Sequence, residues 1–469
     1  MTDPTEILTQ GLALLREGRT AEAEALFRQA LDAEPGNSDA QYLLGIIAFE
    51  SGRAEEAGRL IGDSTHNNPS NPDAYVYLGH LAKQGGDLNL AEAHYRRAVE
   101  LAPEYPLALN NLGNALRENK RIDEALGAYE RAIEVDPAYV SALTNLGNLH
   151  RDEGDYGQAE RFLRRAMEHA PNDVGIITYL ARAVMRQDRA EEALRIYSDA
   201  LRIDPRHADA NADMAKIRAL QGKPQEALIF CQAAIATDPA HTAGLSMLAH
   251  MSSETGDEET ARRLLDGDRL VRMVDMQVPD EFNGLDAFNE SLAGHLLAHL
   301  TLKLEPPGWA TRNCYQSGNL LADPKGPMVH LEKIIRSAIA TYAESLPDDP
   351  DHPFLVNRPS HWRLNVWGIV IDRAQGIVDS HNHAKSWLSG VCYIELPTDI
   401  DSAAADHAGW IEFGRAPLEF KCAIEPPITV IKPKKGKVLL FPAYFYHRTL
   451  PYDSGERRIS IAFDVQVGD

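Results

Sequence analysis

The stretch "NNLGNALRENKRIDEALGAYERAIEVDP", residues 110–137, decides how the first half of the chain is read. Its final proline belongs to a series: Pro35, Pro69, Pro103, Pro137, Pro171, Pro205 and Pro239 stand 34 residues apart. Small residues keep the same interval at Gly11, Gly45, Gly79, Gly113 and Gly147, then at Ala181, Ala215 and Ala249. A second small series runs Ala23, Ala57, Ala91, Ala125, Ala159, Ala193, Ala227 and Ala261. A third slot takes a larger residue: Phe27, Tyr95, Tyr129 and Tyr197, with Ile61, Leu163, Cys231 and Leu265 elsewhere. Such a register predicts one helical hairpin per repeat. The small residues let two antiparallel helices approach, the large one fills the space beside them, and proline ends the second helix.

The pattern resembles the tetratricopeptide repeat and covers roughly residues 4–265 in about eight copies, the last of them degenerate. The resemblance implies a superhelix whose concave face, lined by the first helix of each hairpin, takes an extended peptide or a partner helix. In that helix Asn111 and Asn145 are equivalent, as are Asn114 and Asn148. A side-chain amide both donates and accepts, so stacked asparagines suit a peptide backbone. The ladder spans only two repeats, since Tyr77 and Asp213 interrupt it. Solvated surface amides are the plain alternative.

The formal charge of −22 over 469 residues argues against nucleic acid or an anionic membrane as partner, because both require concentrated positive charge. Cys231, Cys314, Cys392 and Cys422 lie far apart, which fits buried thiols in a reducing compartment. The N-terminus shows no secretory pattern, and no run of about 18 apolar residues occurs. A cytoplasmic protein is expected.

After about residue 266 the register stops. "VHLEKIIRSAIATYAESL" (329–346) reads as an amphipathic helix. From residue 361 onward "WRLNVWGIVI", "LSGVCYIEL", "ITVI", "KVLLFP" and "RISIAFDV" read as short strands, with turn signals at Pro433–Gly436 and Asp453–Gly455. The fold class expected is multidomain: an all-α superhelix over 1–268, a helical lead-in over 269–360, and a jelly-roll core over 361–469.

Two segments carry candidate chemistry: "DSHNHAKSWLSGVCYIELP" (379–397) and "GKVLLFPAYFYHRTLPYDSGERRISIAFDV" (436–465). In extended chain His381 and His383 point together with Asn382 opposite. By the same parity Arg458 and Ser460 share one face of the last strand, and Ile459, Ile461 and Phe463 the other. His447 follows a strong strand. The order of these groups resembles the double-stranded β-helix of Fe(II)/2-oxoglutarate oxygenases. It is most similar to a bacterial group with "WLSGVYY"-like and "FPSYFYHRT"-like segments. The likeness covers about 280–469 and includes "FNESLAGHL" and "AGWIEFGR". It implies His381 and His447 as iron ligands, with Arg458 and Ser460 on the far carboxylate of 2-oxoglutarate.

Most members of that superfamily carry His-x-Asp/Glu where this chain has His-x-His. Three readings stay open: His383 as third ligand, Asp379 as a carboxylate in reversed order, or only His381 and His447 with water or substrate completing the shell. His352, His361 and His407 lack comparable context, and Trp387, Tyr393, Tyr444 and Tyr446 read as core or pocket wall. The resemblance implies an oxygenase that hydroxylates a peptide or protein held in the repeat groove. A repeat scaffold with a non-catalytic metal-binding barrel, or an oxygenase for a small molecule, are the alternatives.

Overall fold

The computed structural model describes residues 3–304, 311–321, 325–372, 376–401, 407–420, 422–452 and 454–467. Paired helices follow one another from Pro4–Arg16 and Thr20–Ala33 to Thr242–Thr255 and Glu258–Leu264. The small and large series have the packing role expected of them. A Cβ on Gly113 would stand 2.5 Å from Tyr129 Cε1, and one on Gly147 would stand 2.7 Å from Leu163 Cγ. Phe27, Tyr95 and Tyr129 are buried in these clefts, and each such ring contributes about 2–3 kcal/mol through burial. Asn71 caps the helix Pro72–Gln84 by accepting from Asp73 N (3.0 Å), and Pro72 fits at the first helical position.

A further series marks the turn inside each hairpin. Gly18, Gly52, Gly86, Gly154, Gly222 and Gly256 have positive φ, and at the same register Lys120 (φ 63°) and Asp188 (φ 59°) adopt it without being glycine. Left-handed backbone closes the first helix and releases the chain into the second.

The chain divides into two compact units, Met1–Gln187 and Asp188–Asp469. In chain order the short helix Gly267–Leu270 follows the paired helices and leads into the first strand. Packing divides elsewhere: Leu245, Ala249, Leu264 and Leu265 belong to the same hydrophobic core as the strands of the second unit. The last repeats and the strands therefore bury their apolar faces against each other.

Twelve strands lie among the described residues: β1 (Arg272–Asp275), β2 (Lys303–Leu304), β3 (Thr311–Arg312), β4 (Tyr315–Gln316), β5 (Trp362–Ile371), β6 (Ile377–Val378), β7 (Ser386–Glu395), β8 (Ile411–Phe413), β9 (Thr429–Ile431), β10 (Lys437–Pro442), β11 (His447–Thr449) and β12 (Arg458–Val467). The large sheet has the antiparallel order β1-β10-β7-β12-β5-β4-β2, a smaller one β11-β8-β9, and β3 pairs with β6. The two main sheets face each other, with Phe413 of β8 and Phe441 of β10 meeting at 4.8 Å between ring centroids. Helices Leu285–Leu297 and Met328–Ser345 share the core of the large sheet through Phe288, Leu292, Leu331 and Ile335. The five expected strands are all present, and the expected helix 329–346 is Met328–Ser345. Of the turn signal Asp453–Gly455, Asp453 lies outside the described residues.

The four cysteines are free thiols, three of them buried and Cys422 half-buried. Burial pushes the thiols of Cys231 and Cys392 up to about 12, and burial followed by the charge of Glu254 pushes Cys422 up to about 11. Among the described residues no helix is long and apolar enough to cross a membrane.

Candidate metal centre

Three imidazoles converge between the two main sheets. His381 and His383 stand on the connection from β6 to β7, and His447 opens β11. Ring nitrogens of the three lie within 4.8 Å of one another. Backbone bonds hold the two segments together: His381 N donates to His447 O (3.1 Å), His447 N to His381 O (2.9 Å), and His383 N to Ala443 O (3.0 Å).

Each ring already uses its Nδ1. That atom donates to Asp379 O in His381 (2.8 Å), to Phe445 O in His447 (3.2 Å), and to the carboxylate Oδ2 of Asp464 in His383 (2.9 Å). A carbonyl or carboxylate oxygen fixes the proton on Nδ1 and leaves the Nε2 lone pair of all three rings free for a metal ion. Burial, and then the neighbouring His383, pushes His381 down to about 4. Burial, and then His381 and His383, holds His447 well below its ordinary range. Neutral imidazole is the form that ligates.

Strand β12 builds the wall behind them by simple alternation. Ile459, Ile461, Phe463 and Val465 are fully buried in the core, while Arg458, Ser460, Ala462 and Asp464 share the opposite parity. Asp464 Oδ1 accepts from Ser389 Oγ (2.6 Å), so both carboxylate oxygens are engaged. Trp367 stacks on His383 with centroids 5.7 Å apart, and Phe441 lies 4.6 Å from His447.

Arg458 is 3% exposed. Its guanidinium lies between the rings of Tyr393 (5.1 Å) and Tyr452 (5.5 Å), and Nη1 donates to Gly409 O (2.6 Å). Among the described residues no carboxylate pairs with it. Ser460 is buried two positions on and stands opposite Tyr393. Burying an uncompensated cation is costly, and a guanidinium offers a planar fork of donors, so this cradle suits an anionic group. The adjacent Arg457 behaves ordinarily, donating Nε and Nη2 to Glu395 at 2.7 Å each.

His383 brings a ring nitrogen into the cluster. The Asp379 carboxylate instead pairs with Arg312 Nε (2.7 Å) and is 42% exposed, so only its backbone carbonyl reaches the histidines. The sequence reading missed Asp464, Ser389 and Trp367. For Asp464 a signal existed, since it continues the parity of Arg458 and Ser460.

The asparagines of the repeats are each engaged within the chain. Asn111 Nδ2 lies 3.1 Å from His80 Nε2, and Asn114 Oδ1 accepts from Tyr129 OH (2.7 Å). Asn145 Nδ2 donates to Asn110 Oδ1 (2.9 Å), and Asn148 Oδ1 accepts from Arg151 Nη1 (2.8 Å).

Residues 14–78 and 150–217 match one family model of the tetratricopeptide repeat, and 70–138 and 106–172 match another. Residues 365–464 match the family described as "Putative 2OG-Fe(II) oxygenase". The chain carries an oxygenase-family domain after tetratricopeptide repeats. The matched segment of that domain holds all three histidines, Arg458, Ser460 and Asp464. Solved structures similar to the chain include PilF of Pseudomonas aeruginosa, at 17% identity over 45% of this chain and 97% of that one, with a TM-score of 0.42. A tetratricopeptide repeat protein from Parabacteroides merdae is similar at 18% identity over 52% of this chain and 97% of that one, with a TM-score of 0.43. YrrB, described as a TPR protein with an unusual peptide-binding site, is similar at 23% identity over 39% of this chain and 95% of that one, with a TM-score of 0.33. No curated protein matches the chain.

Proposed function

We propose that the oxygenase-family domain is a 2-oxoglutarate-dependent hydroxylase that holds Fe(II) through His381, His383 and His447 and acts on a peptide or protein bound by the repeats. The observation that carries the reading is the convergence of three imidazoles, each with its Nδ1 occupied, in a domain that also buries a guanidinium that no carboxylate pairs with among the described residues. Nitrogen donors on one side of a metal leave positions open for a co-substrate. The iron and 2-oxoglutarate, with dioxygen, supply an oxidant able to remove hydrogen from a carbon centre.

The chain's own residues do the arranging. Asp464 keeps the His383 proton on Nδ1 and orients the ring, while Ser389 keeps Asp464 in place. Arg458, with its planar fork, takes the far carboxylate of 2-oxoglutarate, and Ser460 adds a hydroxyl donor to it. Trp367, Phe413 and Phe441 supply apolar surface around His383 and His447 and limit the access of water. The repeats supply substrate binding, as such arrays generally do for proteins and peptides.

Incubating the purified protein with Fe(II), ascorbate and 2-oxoglutarate tests this. Succinate should form, and His447→Ala should abolish it. Absence of both iron binding and succinate, with any peptide library, overturns the proposal. One observation favours a small-molecule substrate instead: the four asparagines already have partners inside the chain. Turnover that is indifferent to Asn111→Ala/Asn145→Ala and to added peptides would support that second reading.

A further inference from the structure

Helix Thr242–Thr255, the first helix of the last repeat, touches both segments that carry the histidines, and one atom makes the decisive contacts. Ser246 Oγ donates to Tyr444 O (2.6 Å) and accepts from Asn382 Nδ2 (2.8 Å). Tyr444 lies three residues before His447, and Asn382 lies between His381 and His383. Ser246 is 1% exposed, so water does not substitute for either bond. Two further contacts run from the same helix: Thr242 Oγ1 donates to Ser386 O (3.0 Å), and a ring nitrogen of His250 stands 2.8 Å from Gly414 O.

The repeat does not fix a serine here: the equivalent positions are Val76, Asn110, Thr144, Thr178 and Ala212, and the hydroxyls of Thr144 and Thr178 have no partner among the described residues. A helical serine commonly turns its hydroxyl back to the carbonyl four residues earlier. Ser246 directs it outward instead, as the middle link of a chain from the Asn382 amide through the hydroxyl to the Tyr444 carbonyl. A hydroxyl that donates and accepts at once strengthens both bonds. Asn382, between the two histidines in sequence, turns its side-chain amide to this hydroxyl.

We infer that Ser246 is a positioning residue of the metal centre, setting the distance between the His381–His383 segment and His447 from a helix of the repeat array. This rests on the reading of the three histidines as metal ligands. The metal site is then an assembly of both kinds of fold, and the last repeat is part of it.

Co(II) binding to the full chain, followed by its visible absorption, tests the inference, because the band reports ligand geometry independently of turnover. Ser246→Ala should weaken Co(II) binding about 10-fold, the lower end of the effect of groups that orient ligands, and should shift the band. Asn382→Ala, at a half-buried and more tolerant site, should do the same. Their combination should lose little beyond Ser246→Ala alone, because that change already breaks the chain. Ser252→Ala is the control: Ser252 is equally buried on the same helix, and its hydroxyl has no partner among the described residues. It should leave affinity and band unchanged. Unaltered Co(II) affinity and spectrum in both Ser246→Ala and Asn382→Ala, or an equal change in Ser252→Ala, overturns the inference. A wild-type chain that binds no Co(II) removes the metal-centre reading, and this inference with it.

Discussion

Asp464 Oδ2 accepts the Nδ1 proton of His383 at 2.9 Å. A carboxylate is thus present beside the histidine cluster, bonded to one of its imidazoles. Asp464→Asn keeps the shape but offers His383 an amide, which loosens the ring and its tautomer. Metal affinity should fall by about 10–100-fold with the fold intact. Calorimetric titration with Fe(II) or Co(II) checks this, and an unchanged affinity would show that His383 is not a ligand.

Arg458 should act on the co-substrate and not on the metal. Arg458→Lys keeps the charge but loses the planar fork and its stacking between Tyr393 and Tyr452. Binding of 2-oxoglutarate to the metal-loaded protein should weaken by roughly 10-fold or more, at about 1.4 kcal/mol per tenfold. Metal affinity should stay as it was. Equal 2-oxoglutarate affinity in the variant would remove Arg458 from the proposed role.

The metal-free protein should lose stability on mild acidification. Burial depresses His381 to about 4 from an ordinary value of 6.5, and it also lowers His250, His352 and His447. Between pH 6.5 and about 4 the unfolded chain binds protons that the folded chain refuses, so stability is complete above 6.5 and falls as pH drops. Urea midpoints at pH 7.5 and 5.0 should fall in that order. A midpoint that rises on acidification contradicts the placement of these rings.

Lys120 holds a left-handed conformation at a register that every other repeat except the one with Asp188 fills with glycine. Lys120→Gly should therefore stabilise the N-terminal unit by up to about 1 kcal/mol, the relief of strain exceeding the added freedom of the unfolded chain. Gly86→Ala should destabilise by a similar amount. Urea denaturation of the two variants measures both signs, and the same sign for both would refute the account.

Much of the architecture was legible because repetition and alternation are one-dimensional signals. The 34-residue clock located the hairpins, and short runs rich in β-branched and aromatic residues between turn signals located β5, β7, β9, β10 and β12. The paired direction of His381 and His383 followed from the same parity. The left-handed series from Gly18 to Gly256 was present in the clock but obscured by Lys120 and Asp188, whose side chains conceal a backbone requirement. Asp464 was within reach of parity alone. Ser246 was not, because its partners lie 136 and 198 residues away and no local pattern announces them. The core that joins Leu245, Ala249, Leu264 and Leu265 to the strands is of the same kind, since it runs across the point near residue 268 where the local pattern changes.

The buried thiols have a consequence for endurance. Peroxide and related by-products of dioxygen chemistry attack the thiolate and not the thiol. With Cys231 and Cys392 pushed up to about 12 and Cys422 to about 11, almost none of the reactive form exists near neutral pH. Burial, helped at Cys422 by the charge of Glu254, thus keeps these sulfurs in the less reactive thiol form.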